Sequence, residues 1–169
     1  MAKEHRPEDI AALCEEAAER DMDLKNYRKA CGYYQEIIWC IDPQEVDLKA
    51  SEVIQKFTLT VSREPYLIEY LETLHQFYCK QHELSGGRAY TQLLFDCYIK
   101  TGKFEKVDSL IEGKDIDFLE KFLDIDRSIN MLRESPKTVE YAVKVARNAE
   151  KWDELIKIYF EHRKVSEIC

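Results

Sequence analysis

Three side chains of metal-binding type recur on one face of a predicted helix. His75, Cys79 and His82 are spaced i, i+4 and i+7, which places them on the same side of a helix. Imidazole and thiolate are ligands that zinc accepts. A fourth ligand is missing from the pattern, and Cys79 adjoins an apolar stripe, where a reduced thiol packs as a small hydrophobe. We therefore predict no metal site, and these three residues form the alternative.

The acidic segment 115–126 has the composition of a calcium loop but lacks its pattern. An EF-hand loop needs glycine at its sixth position and a polar ligand at its fifth, and these positions hold Glu120 and Leu119. Asp115 and Asp117 instead fit the start of a helix, where the helix dipole favours negative charge. We predict a helix start here, and no calcium site.

Catalytic and nucleotide-binding motifs are missing from the rest of the sequence. It contains no glycine-rich phosphate loop, no nucleophile elbow and no H-E-x-x-H zinc helix. Gly86 and Gly87 follow a predicted helix rather than a strand, so they are predicted to form a loop. No nucleophile–base pair can be named. These observations predict a protein that is not an enzyme and needs no cofactor.

Charge and composition exclude two further classes of function. The chain has 169 residues and a formal net charge of −8, and no basic stretch that could neutralise nucleic-acid phosphates or anionic lipids. No apolar run approaches the roughly 20 residues that span a bilayer, and the first residues lack a signal-peptide core. None of the six cysteines forms a CxxC pair, which fits reduced thiols. We predict a cytoplasmic protein without nucleic-acid binding or membrane insertion.

Helical periodicity extends along the chain, and alternating strand patterns are essentially absent. In one stripe, apolar residues follow Phe118 at +4, +7, +11 and +14, which predicts a single continuous helix. The predicted helices cover residues 7–22, 25–41, 43–60, 65–83, 88–100, 103–112, 117–134, 136–149 and 151–165.

Proline, glycine and capping residues mark the predicted helix boundaries. Asp42 and Ser135 each precede a proline and are predicted N-caps, because proline in the first turn loses no hydrogen bond. Gly102 and Gly113 are predicted to end helices in left-handed turns. Gly32 lies inside a helical pattern, where it is predicted to permit a close crossing of helices.

Very short links between the helices predict αα-hairpins. Tyr27, Phe104 and Trp152 each begin the second helix of a hairpin, and an apolar residue follows three positions later. This repeat predicts an all-α fold, an α-solenoid of stacked antiparallel helical hairpins in one domain over residues 1–169. A compact helical bundle is the alternative, because short-linked hairpins serve both architectures.

Four tyrosines lie off or beside the main apolar stripes. They are Tyr33, Tyr66, Tyr90 and Tyr141, whereas most other aromatic residues have core spacing. Tyrosine is enriched at protein interfaces. These four residues are therefore the predicted protein-binding residues.

Five short motifs follow one another from about residue 23 to the C-terminus. They are the aromatic-rich stretch Tyr27–Ile41 with its Asp42-Pro43 turn, Val53-Ile54-Gln55-Lys56-Phe57, the run from Leu67 to His75, the run from Leu93 to Lys100, and Asp124–Ile129 followed by Leu132-Arg133. In this order they resemble the clathrin heavy-chain repeat family, especially the form found in vacuolar protein sorting subunit eleven. The resemblance departs at residues 135–138, where the family usually has a Gly-Tyr-Tyr-like turn.

This resemblance implies a rod-like segment of a class C tethering scaffold, as in the HOPS and CORVET complexes. The implied partners are other subunits of such a complex and, through them, Rab GTPases and SNAREs. The implied location is cytoplasmic, at the surface of endosomes or of the vacuole or lysosome. The family's β-propeller and zinc-binding RING are missing, so we expect a fragment or a reduced homologue. The alternatives are a tetratricopeptide-like peptide-binding adaptor and another clathrin-repeat trafficking protein.

Overall fold

A computed structural model describes residues 6–81 and 87–168, without the side chains of Val61 and residues 162–168. Within these ranges the chain is all-helical and contains no strand, which confirms the predicted all-α class. The α-helices are α1 (Pro7–Asp23), α2 (Tyr27–Cys40), α3 (Val46–Thr58), α4 (Glu64–Lys80), α5 (Gly87–Lys100), α6 (Phe104–Ile111), α7 (Ile116–Phe122), α8 (Ile125–Arg133), α9 (Val139–Asn148) and α10 (Trp152–Ile168). Short 3₁₀ turns precede α3 at Pro43–Glu45 and α4 at Val61–Arg63.

Several predicted helix ends are confirmed. Asp115 is the N-cap of α7, and its Oδ1 accepts a hydrogen bond of 2.9 Å from the backbone N–H of Phe118. Gly102 and Gly113 have φ values of 73° and 70°, the left-handed conformation in which glycine carries no steric penalty. Local chemistry was therefore sufficient to place these ends.

The predicted continuous helix over residues 117–134 is wrong, because the chain breaks between α7 and α8. Leu123 is extended (φ −132°, ψ 149°), and Asp124 caps α8 through Oδ1 to the N–H of Arg127. A side chain from α5 stabilises the break. The buried Gln92 Oε1 accepts from the Asp124 N–H at 2.8 Å and from the Ser128 hydroxyl at 3.2 Å.

Two helix starts differ from the prediction. Asp42 does cap, accepting from the N–H of Gln44 at 2.9 Å, but the turn it opens is 3₁₀, and the α-helix begins at Val46. Ser135 likewise caps only a turn: its hydroxyl accepts from the N–H of Lys137 at 3.3 Å, and α9 begins at Val139. The buried Thr138 hydroxyl donates to the Leu132 carbonyl, so residues 135–138 form a turn that joins α8 to α9.

Gly32 does not permit a close helix crossing. A Cβ atom placed on this residue would have no atom within 4 Å outside its own helix backbone and chain neighbours. The expected crossing is therefore wrong, and the missing side chain leaves α2 with the entropic cost of an internal glycine.

The chain divides into two compact units, residues Met1–Tyr90 and Thr91–Cys169. The predicted single domain over residues 1–169 stays a prediction. In the first unit, α1 packs on α2, and α4 packs on α2 and α3. Contacts between α2 and α4 advance in the same direction along both helices, so the two run parallel: Tyr27 with Tyr66, Gln35 with Thr73 and Trp39 with Phe77.

In the second unit, too, helices that are not consecutive in the chain run parallel to one another. Helix α9 packs on α6, α8 and α10. Its contacts with α6 also advance in step along both helices: Phe104 with Tyr141, Asp108 with Lys144 and Ile111 with Asn148. Helix α8 also runs parallel to α10: Asp126 pairs with Lys151, directly before α10, and Arg133 pairs with Glu154 and Glu161 within it. Each unit therefore contains non-adjacent helices that run parallel.

Replacing Gly32 with alanine should stabilise the first unit. The added Cβ meets no atom, and alanine is about 0.5–1 kcal/mol better than glycine inside a helix. Chemical denaturation followed by circular dichroism should show a higher unfolding midpoint. Gly102→Ala is the matched control, and it should lower the midpoint because φ there is 73°. A destabilised Gly32→Ala would show that this position does need glycine.

Candidate protein-binding surface

Two of the three candidate metal ligands, His75 and Cys79, lie close together. In α4, His75 Nε2 lies 3.5 Å from Cys79 Sγ, while His82 lies outside the described residues. Among the side chains that the structure describes, no group of three His, Cys, Asp or Glu could hold a metal ion. Whether all three residues form a site stays untested.

Three of the four predicted tyrosines are partly exposed. Tyr33 and Tyr66 lie in the first unit, where the Tyr66 ring is 6.3 Å from that of Tyr27. Tyr141 lies in the second unit, 6.2 Å from Phe104 between the ring centroids. Each of these two contacts is an intramolecular packing contact. Protein binding by the three exposed tyrosines stays a prediction.

Tyr90 is a core residue, so its predicted surface position is wrong. Only 6% of it is exposed, its ring stacks on Tyr78 at 5.7 Å, and its hydroxyl donates to the carboxylate and carbonyl of Asp47. Burial, with the bond to Asp47, raises the pKa of Tyr90, and burial with the nearby Asp47 charge raises the pKa of Tyr78 to about 12. This hydroxyl joins α3 to the start of α5.

A row of large apolar side chains is exposed on α10 in the second unit. Trp152, Ile156, Tyr159 and Phe160 are exposed by 53%, 64%, 46% and 65%. Their spacing of i, i+4, i+7 and i+8 places them on one side of the helix. We call these four residues the α10 apolar face. Its area is far beyond that of a single exposed hydrophobic residue, and contiguous exposed apolar patches mark binding sites.

Helix α10 has apolar residues around more of its circumference than its neighbours cover. Leu155 and Ile158 are buried, and the exposed residues continue the same arc through Ile156 to Phe160. At 3.6 residues per turn the combined arc spans roughly 200°. A helix packed on one side usually needs about half of that width. Helix α10 thus has the pattern of a helix with neighbours on two sides, of which one is occupied within this unit.

An apolar cleft of about 410 Å³ adjoins this face between α9 and α10. Its lining is mostly aliphatic or aromatic and consists of Pro136, Val139, Glu140, Val143, Ile158 and Tyr159. Val139 and Val143 are half-buried and one helical turn apart, so they form one wall. The hydroxyl of Tyr159 accepts a hydrogen bond of 2.8 Å from Arg147, which orients its ring. A cleft of this volume accommodates one or two large side chains.

The other end of the α10 apolar face is acidic. A second cleft of about 340 Å³ is lined by Trp152, Lys151 and four carboxylate residues, namely Asp126, Glu150, Asp153 and Glu154. Glu150 occupies the turn between α9 and α10 with a φ of 56°, and Asp153 lies in the first turn of α10. The face therefore has an apolar cleft at one end and negative charge at the other.

The first unit contains a cleft of different character. It measures about 430 Å³, and Lys56 and Arg63 share it with Glu19 and Asp23. Lys56 Nζ lies 3.2 Å from the hydroxyl of Tyr34, and Arg63 donates to Lys56 O and Tyr27. The cations and carboxylates offset one another, so this cleft has no net preference for an anion.

Sequence reasoning missed the α10 apolar face, although a signal was present. Trp152 was assigned to the hairpin repeat and hence to packing within the chain. The width of the apolar arc from Leu155 to Phe160 could have shown that one neighbour is too few. Which side stays exposed could not be read from periodicity, because both sides have the same residue types.

Comparisons with known proteins do not identify the chain. No protein-family model, no curated protein and no solved structure matches it. Across the described ranges, none of the helices is both long enough and apolar enough to cross a bilayer.

Removing the Tyr90 hydroxyl should destabilise the first unit. Tyr90→Phe leaves Asp47 without this donor, and a hydrogen bond to a charged group contributes about 1.5–3 kcal/mol. Tyr70→Phe is the matched control, because the Tyr70 hydroxyl is buried without a hydrogen-bond partner among the described protein atoms. Its removal should be neutral or stabilising. Urea denaturation at pH 7 distinguishes the two variants, and equal losses would contradict this account.

Proposed function

We propose that this chain is a non-enzymatic scaffold segment that binds other proteins in a vesicle-tethering complex. The observation that carries this proposal is the α10 apolar face with its adjoining cleft. Trp152 and Tyr159 are residue types that supply most of the binding energy at protein interfaces, and both are about half exposed. The proposed function needs no cofactor, because the burial of this face against a partner is enough to drive association.

The hairpin arrangement supports an α-solenoid. In the first unit α2 runs parallel to α4, and in the second unit α8 runs parallel to α10, so each pair consists of alternate helices. Successive hairpins that stack in one orientation bring alternate helices together in this parallel sense.

The order of the five motifs supports the assignment to class C tethering machinery. Many of their residues pack in the core: Val53, Phe57, Tyr70, Leu71, Leu74, Leu94 and Tyr98 are all buried. The motif residues therefore belong to the packing core, as residues that form hairpin contacts would. On this proposal the chain acts in the cytoplasm at the surface of endosomes or of the vacuole or lysosome. Other tethering subunits bind it directly, and Rab GTPases and SNAREs are reached through them.

A tetratricopeptide-like peptide adaptor is the runner-up. Such a module binds a peptide carboxylate through clustered cations. Lys56 and Arg63 do share a cleft, but Glu19 and Asp23 line it as well. The mixed charge of this cleft favours the scaffold over the adaptor.

Small-angle X-ray scattering tests the solenoid. A compact globule of 169 residues has a radius of gyration of about 15–16 Å. A stack of hairpins should give a clearly larger value and an extended distance distribution. A radius of gyration within the compact range would contradict the solenoid and favour the compact helical bundle.

Affinity capture tests the tethering function. The tagged chain, incubated with a cell lysate and analysed by quantitative mass spectrometry, should enrich class C tethering subunits. Ile156→Glu should reduce that enrichment about tenfold or more, because it places a charge in the α10 apolar face. Leu48→Glu is the control, since Leu48 is 72% exposed on α3 and outside the face.

Two results would contradict the proposal. One is the absence of tethering subunits from the wild-type capture. The other is equal enrichment by the wild-type chain and Ile156→Glu, with both proteins folded by circular dichroism, which would mean that the α10 apolar face is not the binding site.

A further inference from the structure

We propose that the α10 apolar face binds an amphipathic helix of a partner protein, and that this helix has a lysine or arginine about two turns from its main apolar anchor. The inference rests on the proposed scaffold function and specifies the chemistry of the partner. It follows from the shape of the face and from the uneven charge along it.

The dimensions of the face fit one helix. Trp152 and Tyr159 are seven residues apart, which corresponds to about 10 Å along α10 at 1.5 Å per residue. An apolar stripe of similar length, read at i, i+3 or i+4, and i+7, is how an amphipathic helix occupies a groove. The cleft beside Val139, Val143 and Tyr159 accommodates the anchor of that stripe.

The charge at the Trp152 end is negative and only partly offset. Lys151 lies 3.7 Å from Asp126, and Glu154 pairs with Arg133 and with Lys157. Glu150 and Asp153 have no ion pair with any residue that the structure describes. Two carboxylates beside an exposed indole thus face solvent in one cleft.

One cation can interact with the Trp152 indole and with the carboxylates of Glu150 and Asp153. A lysine or arginine over the Trp152 ring gains a cation–π interaction, which is strongest with tryptophan. The same cation lies within reach of the Glu150 and Asp153 carboxylates, which line the cleft with the indole. At the Tyr159 end, Arg147 already places a positive charge on the Tyr159 hydroxyl, so a basic residue is favoured at only one end of the bound helix.

A second copy of this chain is a poorer occupant. A two-fold axis along α10 would bring the carboxylates of Glu150 and Asp153 near the same groups of the other copy. The chain as a whole carries a formal net charge of −8, which adds long-range repulsion. A partner with the opposite charge avoids both costs.

A peptide-display selection tests the inference. The probe is a library of amphipathic helical peptides with apolar anchor positions, whose flanking positions vary among Lys, Arg, Gln, Asp and Glu. Selection on the full chain should enrich peptides with Lys or Arg on the flank about two turns from the anchor. Failure to enrich any peptide, or enrichment of acidic and basic flanks alike, would overturn the inference.

Variants locate the binding site. For an enriched peptide, fluorescence anisotropy should show about tenfold weaker binding to Trp152→Ala and to Asp153→Lys. Asp117→Lys is the matched control for the charge reversal, because Asp117 occupies the same second position of α7 that Asp153 occupies in α10. Its affinity should equal that of the wild type. Equal weakening by both charge reversals would overturn the inference.

The result is separable from the tethering proposal. Selection of basic helices that bind at Trp152, combined with no recovery of tethering subunits, would keep the inference and remove the tethering function. Recovery of those subunits without selection of any basic helix would support the tethering function and overturn the inference. A dimer in sedimentation velocity that dissociates in Ile156→Glu would identify a second copy as the occupant and overturn the inference.

Discussion

Four consecutive helices of the second unit, α6 to α9, have only 8, 7, 9 and 10 residues. Isolated helices shorter than about 12–15 residues are marginal in water, because nucleation costs more than a few hydrogen bonds return. Each must therefore be stabilised by burying an apolar side against another. This constraint explains the in-step contacts of α6 with α9, and the buried Gln92 that stabilises the start of α8. It also means that an apolar helix side without a neighbour exposes surface whose burial would be favourable.

The constraint acts differently at α10. That helix has apolar residues around a wide arc, and the neighbours in its unit cover the side of Leu155 and Ile158. The uncovered side has Trp152 at an acidic end and Tyr159 beside an apolar cleft. Burying large aromatic side chains is the main source of binding energy at interfaces, whereas charges at the rim select the partner. In the proposed complex, the apolar end of this face would therefore supply affinity and the acidic end specificity.

Two of the corrections share a cause. The helix predicted over residues 117–134 is interrupted before Asp124, whose N–H donates to Gln92, about thirty residues away in sequence. Tyr90 was placed at the surface because it lies off a stripe, yet the Asp47 carboxylate satisfies its hydroxyl inside the unit. In each case a polar side chain found a partner from another helix. Hydrophobic periodicity predicts which residues are buried by apolar packing, but it carries no information about hydrogen-bond partners on other helices.

By itself the sequence determined the all-helical class and many helix ends, such as the Asp115 cap and the left-handed glycines Gly102 and Gly113. These depend on backbone hydrogen bonds and φ preferences within a few residues, so local chemistry is sufficient. Only the tertiary structure decided the break before Asp124, the burial of Tyr90 and the exposure of α10. Those depend on which helices become neighbours, and residues such as Leu155 and Ile156 have the same apolar character whether or not a neighbour covers them.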